Sequence, residues 1–380
     1  MIRRIFSVIL VFALMMAMLM GCSQSGSDGD GSAEGKKPRS NAAMIMVGIS
    51  MTKEDESTKA GETLKTALEE AGHTVELAYA DSAAAQTMQI SAMVEDGASV
   101  LVVDPLNSKE VKKTLQSITV DVSDVMVISY GSPIGASTVD GYVGPDYYTM
   151  GQQQAQHVIE QFGLKAPQSD PADQPPQGDA SASAPAKGDA SAPAEAVINE
   201  DAATVELIAG NGADKAVEGA MSVLKPYIDA GLVAVPSGNL TGDACFTDDP
   251  AARAKELCSQ LYTERELGAL LCLGKDQAAA ASDALLASYR GSAFPVITGY
   301  GDSPEALQHL TRHLVSMFSV SDTSKLPQLA IEAVATATDR TNMEDVLLDC
   351  TAVTLKNYKE VLFETGLYTQ ADNGSFVKNG

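Results

Sequence analysis

The chain has no tryptophan, four histidines and five cysteines, and its 26 lysines and arginines are outnumbered by 50 aspartates and glutamates. Each shortage excludes something. The formal charge of -24 and the lack of any lysine or arginine cluster argue against nucleic acid, whose phosphates reward such clusters. Without tryptophan, any ring that stacks on a ligand must come from tyrosine or phenylalanine. The sequence contains no GxSxG, no Cys-His motif and no CxxC pair. His309 and His313 stand four apart, but no glutamate occupies the place a zinc-binding helix needs, so an exposed helix face is the expectation. Gly210-Asn211-Gly212 lacks the Lys-Ser/Thr pair of a phosphate loop, and Asp243, Asp248 and Asp249 lack the alternate spacing of a calcium loop. No catalytic residue, metal or cofactor is therefore expected.

What is present is a repeating strand and helix pattern. Residues 44–49 form an apolar run, and Ala60, Leu64, Ala67, Leu68 and Ala71 follow at helical spacing until Gly72 ends the helix. Val75, Leu77 and Tyr79 alternate as a strand, Ile90, Met93 and Val94 mark a helix, and residues 100–103 are a continuous apolar strand ending at Asp104-Pro105. Uninterrupted strands of this kind belong in sheets covered on both faces, and alternation at this pace means parallel sheets built from crossover units. A helix carrying Val111, Leu115 and Ile118 and a strand at 125–128 complete a first half of about five strands. Residues 141–151 read as a crossing between domains.

A second half repeats the first: a helix with Val217, Met221, Leu224 and Ile228, strands at 205–208, 232–235, 270–273 and 295–298, and helices at 254–261, 278–288, 304–318 and 326–337. Residues 346–354 are strand-like, and a last helix carries Tyr358, Val361 and Leu362. The expected fold is α/β, two doubly wound parallel-sheet domains joined by a three-strand hinge. The domains are expected at 44–134 with 318–344, and at 135–317 with 345–380. With 380 residues and 45 % hydrophobic content, two buried cores are affordable in size.

Two segments stand apart from this fold. Arg3 and Arg4 precede an apolar run at 5–20, too short for a membrane span and shaped as an export signal over residues 1–21. Leu19-Met20-Gly21-Cys22 resembles a bacterial lipobox, which implies lipid attachment at Cys22, and residues 22–43 would then be a flexible tether. Residues 165–203 are a low-complexity insert rich in Pro, Ala, Ser, Asp and Gln, unable to form a core. It leaves after a helix and returns before a strand, the side away from the strands' carboxyl ends. Cys245, Cys258, Cys272 and Cys350 fall on apolar positions and read as buried thiols, with a bridge between Cys245 and Cys258 left open.

In doubly wound sheets ligands bind outside the carboxyl ends of the strands. The polar residues there are 50–55, Asp104, Asn107, Tyr130, Ser132, Asn211, Asp214, Asp276 and 300–302, and Asp276 could equally be the cap of its alanine-rich helix.

Several runs resemble the multiple-sugar and xylose group of type 1 periplasmic substrate-binding lipoproteins, components of ATP-driven importers. They are GISM at 48–51, residues 64–72, 88–96 and 100–104, GAMSVLKP at 219–226, Ala252-Arg253 with Leu257, and residues 357–368. The resemblance implies two domains that close on a sugar, with rings on its faces and polar side chains on its hydroxyls. It carries Asp146, Arg253 and Asp276 over as binding positions; the strand ends add Lys53, Asp55, Asp104, Asp214 and Asp302 to the candidate set, and Tyr130, Phe246 and Tyr300 are the candidates for ring stacking. The chain departs from the pattern in having Gly131-Ser132 where relatives carry a charged pair, Asp55-Glu56-Ser57 where they carry Glu-Arg-Trp, and a shortened turn at 212–214. The expected role is a lipid-anchored, extracytoplasmic, monomeric binding protein that captures a small polar solute, a monosaccharide or related polyol, for the membrane permease of an ABC transporter. The alternative is a sensory or adaptor lipoprotein whose closed form signals to a membrane receptor, since both need the same cleft.

Overall fold

Continuous apolar strands set the frame. The computed structural model describes residues 44–379, apart from 122–123, 136–137, 168–200, 264, 302, 339–342 and 372–375. Expectations for the signal at 1–21, the tether at 22–43, Cys22, Asp302 and most of the insert lie outside the described residues. The first sheet holds β1 (Met46–Thr52), β2 (Thr74–Ala80), β3 (Val100–Val103), β4 (Met126–Tyr130) and β5 (Gly141–Pro145), with β11 (Val346–Leu348) at its far edge. Their order is β11-β5-β4-β3-β1-β2, every pairing parallel. The helices α1 (Asp55–Glu70), α2 (Ala83–Glu95) and α3 (Ser108–Asp121) are its crossovers, and α10 (Leu326–Thr338) joins it late in the chain. One face of the sheet packs Val47, Ile49, Met51, Val102 and Ile128 under α1 and α10. The other packs Leu101, Val103 and Val127 under α2 and α3.

The second sheet repeats the plan with β6 (Ala203–Ile208), β7 (Val233–Ala234), β8 (Ala269–Lys275), β9 (Val296–Tyr300), β10 (Met317–Val320) and β12 (Thr351–Thr354). Its order is β12-β10-β9-β8-β6-β7, with β12 the one antiparallel member. Helices α4 (Tyr147–Gln161) and α5 (Asp214–Asp229) cover one face, α7 (Pro250–Leu261), α8 (Gln277–Ser288) and α9 (Pro304–Thr311) the other, and α6 (Gly242–Cys245) is a single turn. Gly151 and Gly219 let α4 and α5 approach backbone to backbone: a Cβ on Gly219 would lie 2.0 Å from Tyr148 O. A terminal hairpin, β13 (Tyr368–Gln370) with β14 (Phe376–Lys378), rests on this lobe through Tyr368, Phe363 and Phe376.

Several expectations need correction. Residues 141–145 are not a crossing but β5 of the first sheet, so the passage to the second lobe comes at Asp146 rather than at 134–135. The helix expected over 304–318 ends at Thr311, and 317–320 is β10 of the second sheet, which also moves the boundary expected at 317–318. The strand expected over 346–354 is two strands in different sheets: β11 lies in the first lobe and β12 in the second, so the passage falls at 349–350 and not at 344–345. His309 is buried rather than exposed, and His313 follows the helix at φ 61°, so the two share no helix face. The His309 ring instead ties Glu305 O (Nδ1, 2.8 Å) to Asp283 Oδ1 of α8 (Nε2, 3.0 Å). Cys245, Cys258, Cys272 and Cys350 are buried and free, so Cys245 and Cys258 form no bridge.

Three passages of chain connect the lobes: at Asp146, between Val320 and Leu326, and between Leu348 and Thr351. They are bonded to one another. Asp146 N donates to Leu348 O at 2.9 Å, and the Cys350 thiol lies 3.0 Å from Ser321 Oγ and 3.5 Å from Asp146 O.

Candidate functional site

The residues that follow the carboxyl ends of the two sheets meet across a crevice. In the first lobe the centre is Asp104, directly after β3. Its backbone is fixed from α2 by buried Gln86, which donates through Nε2 to Asp104 O (2.7 Å) and accepts from Leu106 N (2.8 Å). Its carboxylate oxygen Oδ2 accepts from Ser57 Oγ at 2.6 Å, and the Thr52 hydroxyl lies 3.2 Å from Oδ2 and 2.8 Å from Ser57 Oγ. The second oxygen, Oδ1, has no hydrogen-bond partner among the described residues and borders Gly131. Burial pushes this carboxyl above its ordinary value, opposed by the Ser57 and Thr52 hydroxyls and by the Lys275 ammonium from the opposite lobe. A partly buried carboxylate with one oxygen held and the other open is suited to accept a hydroxyl.

Tyr130, at the end of β4, is 5 % exposed, and burial raises its phenol well above the usual value, so it stays a neutral ring with a hydroxyl donor. Tyr147, the first residue of α4, is 4 % exposed; burial raises its phenol against the opposing effect of the Ser132 side chain, and its ring meets Tyr300 edge to face at 5.4 Å. Asp146, beside it, spends both oxygens on α4: Oδ1 accepts from Thr149 N (3.0 Å) and Oδ2 from Thr149 Oγ1 (2.6 Å).

In the second lobe Asp276 does not cap its helix. It sits at φ 56° with no side-chain cap bond, its N–H donates to Tyr300 O at 2.9 Å, and its Oδ1 lies against Gly301. That left-handed turn exposes the carboxylate on the crevice side of β8 and β9. Gln277 fixes the turn, accepting from Gly274 N (3.1 Å) and donating to Thr247 O (3.3 Å). Lys275, next to Asp276, reaches Glu56 of the first lobe at 3.5 Å. Phe246 is half-buried on a segment bridged to Ala209 beside β6, and Lys109 of the first lobe stands over its ring at 4.8 Å while pairing with Asp243 at 2.6 Å. Asn211 closes the seam: Nδ2 donates to Pro105 O (2.8 Å) and Oδ1 accepts from Ser108 N (2.6 Å).

Of the residues singled out from sequence, Asp104, Tyr130, Tyr300 and Asp276 thus gather at the crevice, with Phe246 on its seam. Lys53 and Asp55 are exposed at the end of β1 and the start of α1. Arg253 pairs with Glu256 on its own helix at 2.7 Å, and Asp214 is exposed on the first turn of α5 against Gly242; no described contact takes either to Asp104. Glu56, Ser57, Gln86, Tyr147, Lys275 and Gln277 were not singled out. Only Tyr147 carried a local signal, an aromatic at the start of the helix that follows the passage between lobes. Among the described residues no group of histidine, cysteine, aspartate and glutamate side chains could hold a metal ion.

Comparison with known proteins agrees with this architecture. The sequence profile described as "Periplasmic binding protein domain" matches residues 47–341. The multiple sugar-binding periplasmic protein SbpA of Azospirillum brasilense is 26 % identical over 332 residues, covering 79 % of this chain and 82 % of that protein. The multiple sugar-binding periplasmic receptor ChvE of Rhizobium radiobacter is 26 % identical over 341 residues, covering 81 % and 86 %. Among solved structures, an ABC transporter solute-binding protein from Clostridium phytofermentans with bound β-D-glucose superposes with a TM-score of 0.64 at 22 % identity, over 86 % of this chain and 98 % of that one. The Caulobacter myo-inositol binding protein, bound to myo-inositol, gives 0.56 at 19 %, over 84 % and 96 %.

Proposed function

The chain belongs to the periplasmic binding protein family, and from that premise we propose that it captures a neutral polyhydroxylated solute, a monosaccharide or cyclic polyol, for import by an ABC transporter. The observation that carries the reading is the half-held carboxylate of Asp104 in the first lobe, acted on by Lys275 of the second and set beside the buried rings of Tyr130 and Tyr147, with Tyr300 against Tyr147 and Asp276 next to Lys275. Carboxylates accept from hydroxyls and an aromatic wall suits the C–H face of a sugar ring. Both curated relatives are named for multiple-sugar binding, and the two solved relatives hold glucose and myo-inositol. Because the polar groups come from both lobes, a ligand touching all of them stabilises the closed arrangement, and the permease distinguishes closed from open.

The same reading anchors the protein as a monomer outside the cytoplasm through a lipid on Cys22. Radioactive palmitate should label the wild type and not Cys22→Ser; a labelled, membrane-bound Cys22→Ser protein overturns the anchor.

The test of the ligand is a thermal-shift panel of pentoses, hexoses, polyols, amino acids and nucleosides, followed by calorimetric titration of whatever shifts. A saturable response to D-glucose, D-xylose or myo-inositol is expected. A response to amino acids or nucleosides alone refutes the sugar assignment, and no response to any solute favours a sensory or adaptor role over import.

A further inference from the structure

The terminal hairpin belongs to the second lobe by its packing, since Tyr368 is buried among Leu362, Phe318 and Val353, and Phe376 packs on the same cluster. Its last strand nevertheless reaches the first lobe. Lys378 Nζ lies 2.6 Å from Glu56 Oε1, and Lys275 Nζ approaches the other oxygen, Oε2, at 3.5 Å. Two ammonium groups of one lobe therefore converge on a single carboxylate of the other. That carboxylate stands in the first turn of α1, one residue before the Ser57 that holds Asp104. Glu56 is half-exposed, with 53 % of its side chain accessible, whereas Lys378 is 21 % accessible. Burial alone would raise the Glu56 carboxyl, but the two lysines outweigh it and hold it below its ordinary value.

We propose that Glu56, Lys378 and Lys275 form an ionic latch between the lobes, in which the C-terminal hairpin positions Lys378 to favour the closed arrangement before any solute arrives. Lys378 is a positioning residue: it acts on the fraction of molecules already closed, and so on apparent affinity, because a solute that binds the closed form is weakened by whatever fraction is open. The inference goes beyond the solute-capture reading and needs only that the two lobes separate.

The measurement is made without ligand, so that a failed sugar assignment does not touch it. Nitroxide labels on Asp81→Cys, beyond β2, and Glu305→Cys, in the first turn of α9, flank the crevice from the two lobes. Cys22→Ser is the background, and the four buried thiols stay unlabelled. Pulsed electron-electron resonance then reads the open and closed populations. Lys378→Gln and Glu56→Gln are each expected to raise the open-to-closed ratio by about two- to fivefold, the range of a partly exposed ion pair. Lys378→Arg should restore the wild-type distribution, and the double variant should open no further than Glu56→Gln. Raising salt from 0.05 to 1 M, where screening shortens to about 3 Å, should open the wild type further than Glu56→Gln, which keeps, among the described residues, only the Lys109–Asp243 pair between its lobes. An unchanged distribution in either single variant, a double variant equal to the sum of the singles, or a salt response in Glu56→Gln as large as that of the wild type overturns the latch.

Discussion

Replacing Gly219 by alanine tests how the second lobe is held together. On an isolated helix the change would help, since alanine is favoured over glycine by about 1 kcal/mol. Here the added methyl would sit 2.0 Å from Tyr148 O and 2.8 Å from Tyr148 C, and the reciprocal change at Gly151 would sit 1.9 Å from Ala216 O. The obstacle is backbone on both sides, so no rotamer change relieves it; α4 and α5 must part by more than ~1 Å, well short of which a packed core resists. Overpacking of this kind costs about 1–3 kcal/mol, and a backbone obstacle belongs at or beyond the top of that range. Parting the helices also loosens the layer of Val217, Ala220 and Leu224 against Met150 and Val158. Set against the helix-propensity gain, a net loss of about 2 kcal/mol is expected, or a drop in melting temperature of roughly 4–8 °C for a lobe of this size. Gly72→Ala is the control: it lies at φ +97° with nothing within 4 Å, so it should cost about 1–2 kcal/mol from backbone conformation alone. Calorimetric melting of the three proteins reads the outcome, and a Gly219→Ala protein melting at or above wild type refutes the close-approach argument. Because α4 begins at Tyr147, Gly219→Ala should also weaken solute binding, which Gly72→Ala should not.

Four further outcomes are expected. For Asp104 the folded-state pKa lies above the unfolded one, so its contribution is fully present below about pH 3.8 and is lost as pH rises through the folded value; Asp104→Asn should therefore melt higher than wild type at pH 7, with the gap closing in acid, while binding of the panel's best sugar weakens about tenfold, and a lower melting point at pH 7 counts against it. Asp276→Ala should likewise weaken that sugar tenfold or more, the loss of a charged hydrogen bond worth about 1.5–3 kcal/mol, and unchanged affinity removes it from the site. Burial pushes the Cys245 thiol up to about 12 and those of Cys258 and Cys350 to about 11, so a disulfide reagent at pH 8 should modify none of the four in native Cys22→Ser protein and all four in guanidinium; one fast-reacting thiol in the native protein contradicts the buried assignment. Deleting residues 169–194, which fall between the end of α4 and the start of β6, should leave stability and affinity nearly unchanged, and a loss above about 2 kcal/mol argues that the segment packs.

The strands were legible because parallel sheets bury both faces and leave uninterrupted apolar runs such as 100–103, and the crevice followed from the rule that ligands meet the strands' carboxyl ends. Asp104 was found in that way. The segment 304–318 was misread because Leu307, Leu310, Leu314 and Phe318 keep helical spacing, while the break comes at His313, a non-glycine residue at positive φ that gives no warning. Asp276 has the residue type of a cap but the backbone of a turn, and composition cannot separate the two. Gln86 on Asp104 O and Gln277 on Thr247 O act through backbone groups of loops they do not adjoin, and Glu56 meets Lys378 from 322 positions away; no periodicity encodes such pairs.

The bonding among the three passages has a mechanical consequence. A single connecting segment would leave two rigid bodies free to bend, twist and slide; three running side by side, pinned through Asp146, Ser321 and Cys350, remove twist and slide and leave rotation about one axis. A motion with one degree of freedom returns the lobes to the same register on every stroke. Asn211 and Pro105, 106 positions apart in the chain, then regain hydrogen-bonding distance without any search over relative orientations.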